Sequence, residues 1–595
     1  MAGPIDNKLL RELARDREWR QRARGSGGDA VGDAGARAAT GGVIDLTGDD
    51  DEDDDGVVVL GQTPAAATRS APYSLSAAQL AELNGRRRRG DDGEAGPSKR
   101  PRAAAAAPQA PADVAGFNTF RTAGAGGVTL RDVMVVPGVT WDEVVMTNYM
   151  IDSEWMATSS LGADSASFYR SVRKLLLITD GRASPPPDQL CAPFRRAGTE
   201  RVEAFNPPRP IEYGVHHSKM IILASLRQGV RVVVTTANFI RKDIESMLQG
   251  VYVQDFPPKP SRGAGGADDA GEDQFGRALG KYFEEMGAGL QRLSVKPREL
   301  LDRFDFSRAA VRLIASVPGE HRSDMNIWGH LVRAAGPIGR RRDARSATLI
   351  RRAVRTAPQC LRQQLLLEPF DEDTRRRFAR SSVSAQFSSV GSVWPRWLDE
   401  LKKSLFSGIP PAPGTRGGRL KLIWPTVEQV RTSLCGYHSG NSIPGRAENV
   451  VRPHLLQLYH RLERHEGGPW PAPHIKTYAR HADDGECAWV VLTSANLSGA
   501  AWGVLQKNGS QLLIRSWEVG VLLLPSLLRR FGPDNYRIGG VRGGGGRREA
   551  DTAWRLPRLP YRLPPPEYTP EDQPWCVDKA YLAPDAFGAS WIPDG

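Results

Sequence analysis

Cysteine is scarce in this chain. The five among 595 residues are Cys191, Cys360, Cys435, Cys487 and Cys576, far apart, with no Cys-x-x-Cys pair and no Cys/His cluster at metal spacing. Neither a disulfide framework nor a structural zinc is indicated, which fits a reducing compartment. Long apolar runs are missing too. Nowhere do about 18 apolar residues stand together, so no transmembrane helix is expected. The opening "MAGPIDNKLLRELARDREW" carries no signal-peptide core. Charge is not lacking, but it leans one way: 80 Lys and Arg against 68 Asp and Glu give a net charge of +12. That balance favours an anionic partner, nucleic acid before anionic membrane.

Residues 1–114 are short of aromatics and dominated by Gly, Ala, Asp and Arg. Such a segment buries too little apolar area to offset its ordering entropy, and a disordered tail is expected, with short helical candidates at Asn7–Arg24 and Ser76–Asn84. Within it, Val43-Ile44-Asp45-Leu46 stands beside seven consecutive acids, Asp49 to Asp55. An apolar strand flanked by negative charge can add to a sheet edge with a basic rim. The stretch resembles a SUMO-interacting motif, and Val57–Leu60 is a second candidate. Two basic clusters, Arg86–Arg89 and Lys99–Arg102, resemble a bipartite nuclear-import signal, so nuclear localisation is expected.

From about Phe117 the composition turns globular. Apolar runs such as "KLLLITD", "KMIILASL", "VRVVVTTAN", "AVRLIASVPG", "RLKLIWP", "AWVVLTSAN" and "VGVLLLPS" alternate with helical stretches including "DQFGRALGKYFEEMGAGLQRL" and "WPRWLDELKKSLF". Strands alternating with helices predict an α/β layered fold. Gly/Pro-rich breaks at Pro257–Gly271, Pro410–Gly418 and Gly539–Gly546 read as loops. The segment Gly339–Arg355 is basic enough to offer a DNA-binding face.

One pattern occurs twice. His217-Ser218-Lys219 precedes an apolar strand and is followed, after 18 intervening residues, by Asn238 in "TTAN". His474-Ile475-Lys476 precedes another, followed after 19 by Asn496 in "TSAN". In an extended chain residues i and i+2 share a face, so each histidine projects with its lysine. If the two copies pack symmetrically, two imidazoles, two ammoniums and two carboxamides converge. Such a set suits a phosphodiester: the lysines and amides hold the oxygens, and the histidines serve as nucleophile and acid. No metal or cofactor is called for.

The paired His-x-Lys elements resemble the phospholipase D superfamily. Its signature continues with Asp five residues after the Lys, where this chain has Ala224 and His481. That departure, with Asn238 and Asn496 and the stretches "GVHHSKMIIL", "WPTVEQVRTSLCGY", "PHIKTY" and "RSWEVGVLLLPS", is similar to the tyrosyl-DNA phosphodiesterases of topoisomerase I repair. The resemblance implies two phospholipase-D-like α/β sandwich domains, 115–333 and 334–595, sharing one active site in a monomer. It implies cleavage of DNA 3′ adducts, including topoisomerase-derived peptides, rather than of lipids. His217 would be the nucleophile, His474 the general acid and base, and Lys219, Lys476, Asn238 and Asn496 the phosphate ligands. The family's Gln and Glu map to Gln249 and Glu518, which implies that Gln249 orients His217 and Glu518 orients His474. A carboxylate raises the pKa of a group that must donate, whereas an amide orients without doing so. Tyr149, Thr432, Ser433, Tyr437, Ser494 and Ser498 are candidates for substrate contact, and His216 is expected to be structural.

Overall fold

The computed structural model describes residues 115–120, 127–259, 273–322, 329, 360–411, 417–465, 470–528 and 559–593. The acidic-flanked Val43–Leu46, the basic clusters of the tail, Gly339–Arg355 and the Gly-rich loop near Gly543 lie outside the described residues.

The apolar runs form strands, as their β-branched composition directs. Seven of them, β1 (Ala115–Thr119), β2 (Glu143–Asn148), β3 (Lys174–Thr179), β4 (Arg201–Phe205), β5 (Met220–Ser225), β6 (Gly229–Thr235) and β7 (Gly250–Phe256), make one sheet in the order β1-β7-β6-β5-β2-β3-β4. Ten more follow: β8 (Val311–Ser316), β9 (Gly319–His321), β10 (Ser382–Gln386), β11 (Leu420–Ile423), β12 (Tyr459–His460), β13 (Thr477–His481), β14 (Cys487–Thr493), β15 (Val504–Gln506), β16 (Gln511–Ile514) and β17 (Glu518–Leu523). Seven of these build a second sheet in the order β12-β11-β10-β13-β14-β17-β8. A small sheet, β15-β16-β9, flanks it.

The two large sheets have matching topology. In each, three strands pair in parallel, β2-β3-β4 and β10-β11-β12, and the rest of the sheet is antiparallel. The match shows where the second copy begins. β8 pairs antiparallel with β17, as β1 pairs with β7. The domain boundary expected at 333/334 is therefore displaced, because Val311–Ser316 already belongs to the second unit. Without β8 the edge of β17 would stand open to another chain.

Every position of β5, β6 and β7 is buried, because both faces of the sheet are covered. Met220, Ile222, Val232 and Val234 point into a core shared with Ile475, Val490, Leu492 and Val521 of the second sheet. Their alternates Ile221, Leu223 and Val233 pack outward beneath the helix residues Trp155, Phe168 and Phe194. The helix Pro395–Leu405 covers the second sheet, starting at a proline where no backbone donor is needed. The chain is thus a sandwich of two like halves, face to face around one core.

Candidate active site

The facing sheets bring both His-x-Lys elements to the interface. His217 and Lys219 lead into β5, and His474 and Lys476 lead into β13. In each copy the lysine turns back on its histidine: Lys219 Nζ donates to the His217 carbonyl at 2.9 Å and Lys476 Nζ to the His474 carbonyl at 2.6 Å. Both lysines are fully buried. Burial pushes Lys219 down to about 8. Burial and the neighbouring Lys219 push Lys476 well below the ordinary lysine range. His474 is likewise held well below an ordinary histidine by burial, then by Lys476, Lys219 and His217. The four groups feel one another's charge, as expected of a shared site.

How the halves dock determines what supports each imidazole. The backbone before His217 lies along the second half: Trp517 N donates to Val215 O at 2.9 Å and His217 N to Trp517 O at 3.0 Å. The backbone before His474 lies in the same way along the first half, with Leu248 N bonded to Ala472 O and His474 N to Leu248 O, both at 3.0 Å. The residues after Trp517 and Leu248 are Glu518 and Gln249, so each reaches the other half's histidine. His217 Nδ1 bonds Glu518 Oε2 at 2.9 Å, and Gln249 Nε2 lies 2.9 Å from His474 Nδ1. The sequence expectation paired them the other way, each histidine with the polar residue of its own half. The structure corrects it: the carboxylate belongs to His217 and the amide to His474.

Behind these partners stand two hydroxyls. Ser494 Oγ donates to Glu518 Oε2 at 2.5 Å and accepts from Val519 N at 3.0 Å. Thr236 Oγ1 donates to Gln249 Oε1 at 2.8 Å and accepts from Gly250 N at 2.9 Å. They occupy the same place in "TTAN" and "TSAN". Ser494, expected to touch substrate, is instead a support for Glu518. Thr236 holds the matching place in the first copy, a position that the repeat marks and that no chemistry of its own singles out. For His217, burial lowers the pKa and Glu518 opposes that. Glu518 is pushed up by burial but brought net below its ordinary range by His217 and its hydrogen bonds.

The two asparagines differ. Asn496 Oδ1 accepts from the backbone N–H of Ser388 and Ser389, each at 3.1 Å, which leaves its NH2 as the donor end. Asn238 gives its backbone N–H and Nδ2 to Asp243 Oδ2 at 3.0 and 2.9 Å, and its Oδ1 is buried without a partner. Asp243 is fully buried, and its Oδ2 also lies 3.4 Å from His474 Nδ1. Nothing but a lone carboxylate five residues after Asn238 signalled it in the sequence.

The family model for tyrosyl-DNA phosphodiesterase matches residues 113–569. The chain belongs to this family. It is 35% identical over 480 residues to tyrosyl-DNA phosphodiesterase 1 of Arabidopsis thaliana, covering 75% of this chain and 71% of that one. A probable tyrosyl-DNA phosphodiesterase of Caenorhabditis elegans is 30% identical over 395 residues, covering 64% and 72%. The crystal structure of the yeast tyrosyl-DNA phosphodiesterase shares the fold at a TM-score of 0.52 and 15% identity, covering 78% of this chain and all of that one. The protein is a DNA-repair phosphodiesterase on a phospholipase-D-like scaffold.

The other expected contacts of a tyrosyl-DNA phosphodiesterase divide sharply. Tyr149 is at the site, its ring edge-on to His217 at 5.7 Å between centroids and 5.9 Å from Lys219 Nζ. Four others spend their hydroxyls on the fold. Thr432 Oγ1 donates to Glu428 O, Ser433 Oγ to Val430 O, Tyr437 Oη to Ala583 O, and Ser498 Oγ caps the helix Gly499–Trp502. His216 is buried with Nε2 against Thr147 Oγ1 at 2.6 Å, and burial pushes it down to about 3. It is neutral and structural, as its position beside His217 on the opposite face implies.

Proposed function

We propose that this enzyme hydrolyses the bond between a DNA 3′-phosphate and a tyrosine or other 3′ blocking group, through a covalent phosphohistidine and without a metal. The observation that carries the reading is the carboxylate on one histidine and the amide on the other. Glu518 accepts the Nδ1 proton of His217, which leaves the Nε2 lone pair to attack phosphorus. As the P–N bond forms the imidazole becomes cationic, and the same carboxylate stabilises it. The P–O bond to the tyrosine breaks, and His474 gives a proton to the departing phenolate. In the second step His474 takes a proton from water, hydroxide attacks phosphorus, the P–N bond breaks, and a 3′-phosphate remains.

His474 is held low in the free site, yet it must begin the reaction protonated. The substrate supplies the remedy. A phosphodiester anion between Lys219 and Lys476 offsets their positive charge and raises the pKa of His474. The two ammoniums and the Asn496 amide supply the charge and donors that the phosphoryl oxygens require.

A single-stranded oligonucleotide with a 3′-phosphotyrosine, incubated in excess EDTA, tests this directly. We expect release of the 3′-phosphate. Cleavage only with added magnesium would overturn the metal-free reading. His217→Ala is expected to abolish turnover, and His474→Asn to accumulate a covalent DNA–protein adduct that gel electrophoresis detects. The basic clusters and the acidic-flanked Val43–Leu46 support a nuclear enzyme whose tail receives a SUMO-type partner. Loss of nuclear import on replacing Arg86–Arg89 is the corresponding check.

A further inference from the structure

The loop that cradles Asn496 does not end at the site. Ser388 and Ser389 hold the Asn496 oxygen, Gly391 N bonds Leu497 O at 3.1 Å, and the chain then reaches Trp394 before the helix Pro395–Leu405 begins. Trp394 is 51% exposed, which is unusual for the largest apolar side chain. It is not loosely held. The guanidinium of Arg452 lies 5.0 Å from its ring centroid, and His454 Nε2 donates to Val393 O at 2.9 Å. Among the described residues Arg452 makes no ion pair; its Nε donates to the Glu448 carbonyl at 3.0 Å. Val451 and Leu456, on either side of Arg452 in sequence, are exposed as well. The result is a fixed aromatic face backed by a cation.

We propose that Trp394 is a base-stacking platform for the DNA strand whose 3′ end lies between the histidines. This rests on the DNA reading above. Two observations favour a nucleic-acid strand over an apolar peptide. Among the described residues the cation on the patch, Arg452, has no ion-pair partner, and the patch continues the loop that holds a phosphate ligand. Trp394 is five steps along the chain from Ser389, and at about 3.5 Å each these span no more than about 18 Å. At about 3.4 Å per stacked nucleotide, a strand leaving the site meets the ring within about five nucleotides. Every base has a π-face, so the contact adds affinity without sequence preference.

The test is Trp394→Ala on 3′-phosphotyrosyl oligonucleotides of two to ten nucleotides, with Trp394→Phe beside it. The side chain is exposed, so the fold survives its loss. For the wild type, KM should fall with length up to about five nucleotides. For Trp394→Ala, KM on the ten-mer should rise about tenfold, the scale of one aromatic–base stack, with kcat unchanged, the dinucleotide unaffected and Trp394→Phe largely restored. Equal KM values for wild type and Trp394→Ala at every length would overturn the platform while leaving the cleavage reading intact. A defect that instead tracks the length of a tyrosyl peptide at constant DNA length would assign the patch to the protein side of the adduct, and would overturn it too. Failure of the wild type to cleave any of these substrates would sink the cleavage reading itself.

Discussion

A fully buried lysine holds its proton weakly, and this bears on the pH dependence of the enzyme. Lys219, pushed down to about 8, is charged below that pH and loses its charge above it. We therefore expect the loss of that charge to deepen the fall of kcat/KM as pH rises through about 8, beyond the earlier loss of the proton from His474, whose pKa the free site holds well below an ordinary histidine's. Lys219→Arg keeps its charge at every accessible pH, so whatever activity it retains should lack that added fall. Asp243 supports a second prediction. Its carboxylate, 3.4 Å from His474 Nδ1, favours the protonated acid. Asp243→Asn should lower kcat about tenfold for each unit by which the His474 pKa falls. The loss should be larger for a tyrosine leaving group than for nitrophenolate, which needs no proton. Equal losses on both would mean that Asp243 only shapes the site. At this scale the sequence was generous with repeated residues and silent on single ones. His217, Lys219, His474 and Lys476 announced themselves by occurring twice, and Asn238 and Asn496 by the same tetrapeptide. Asp243 has no counterpart in the second copy. Thr432, Ser433, Tyr437 and Ser498 were read as contacts because a hydroxyl's use by a nearby carbonyl or helix end leaves no mark in composition.

At the scale of elements, the site depends on two short extended segments docking across the interface. Residue 214 makes the tolerance plain. A Cβ on Gly214 would meet the Arg515 carbonyl oxygen at 2.0 Å, a backbone atom that cannot turn aside. Gly214→Ala should leave the sheets folded but lift His217 away from Glu518. A displacement of about 1 Å is enough to cost about 100-fold in rate, so we expect at least that loss in kcat with far-UV circular dichroism unchanged. Strands were the most legible elements because β-branched apolar runs bounded by Gly, Pro and Asn leave little alternative. The order of the strands was not legible. That β8 crosses to the second sheet depends on which edge is open once both copies have formed. The exchange of Gln249 and Glu518 was not legible either: the family resemblance implied that each histidine is supported by a residue of its own copy, and only the docking of the halves shows the crossing.

For the whole molecule, the decisive fact is the core that the two sheets share. Val232 and Val234 of one half share it with Val490 and Leu492 of the other, so the inner face of each sheet is covered by the other half. Urea should unfold the described domain in one transition, with tryptophan fluorescence and cleavage activity lost together. Two separated transitions would show that the halves are independent. The crossed support of the histidines carries this into the life of the protein. His217 leaves the ribosome 301 residues before Glu518. At about 5 to 20 residues per second that is a delay of about 15 to 60 s. On the proposed mechanism, the nascent chain carries His217 without its carboxylate partner throughout that interval, and a product cut short before Glu518 is expected to lack cleavage activity.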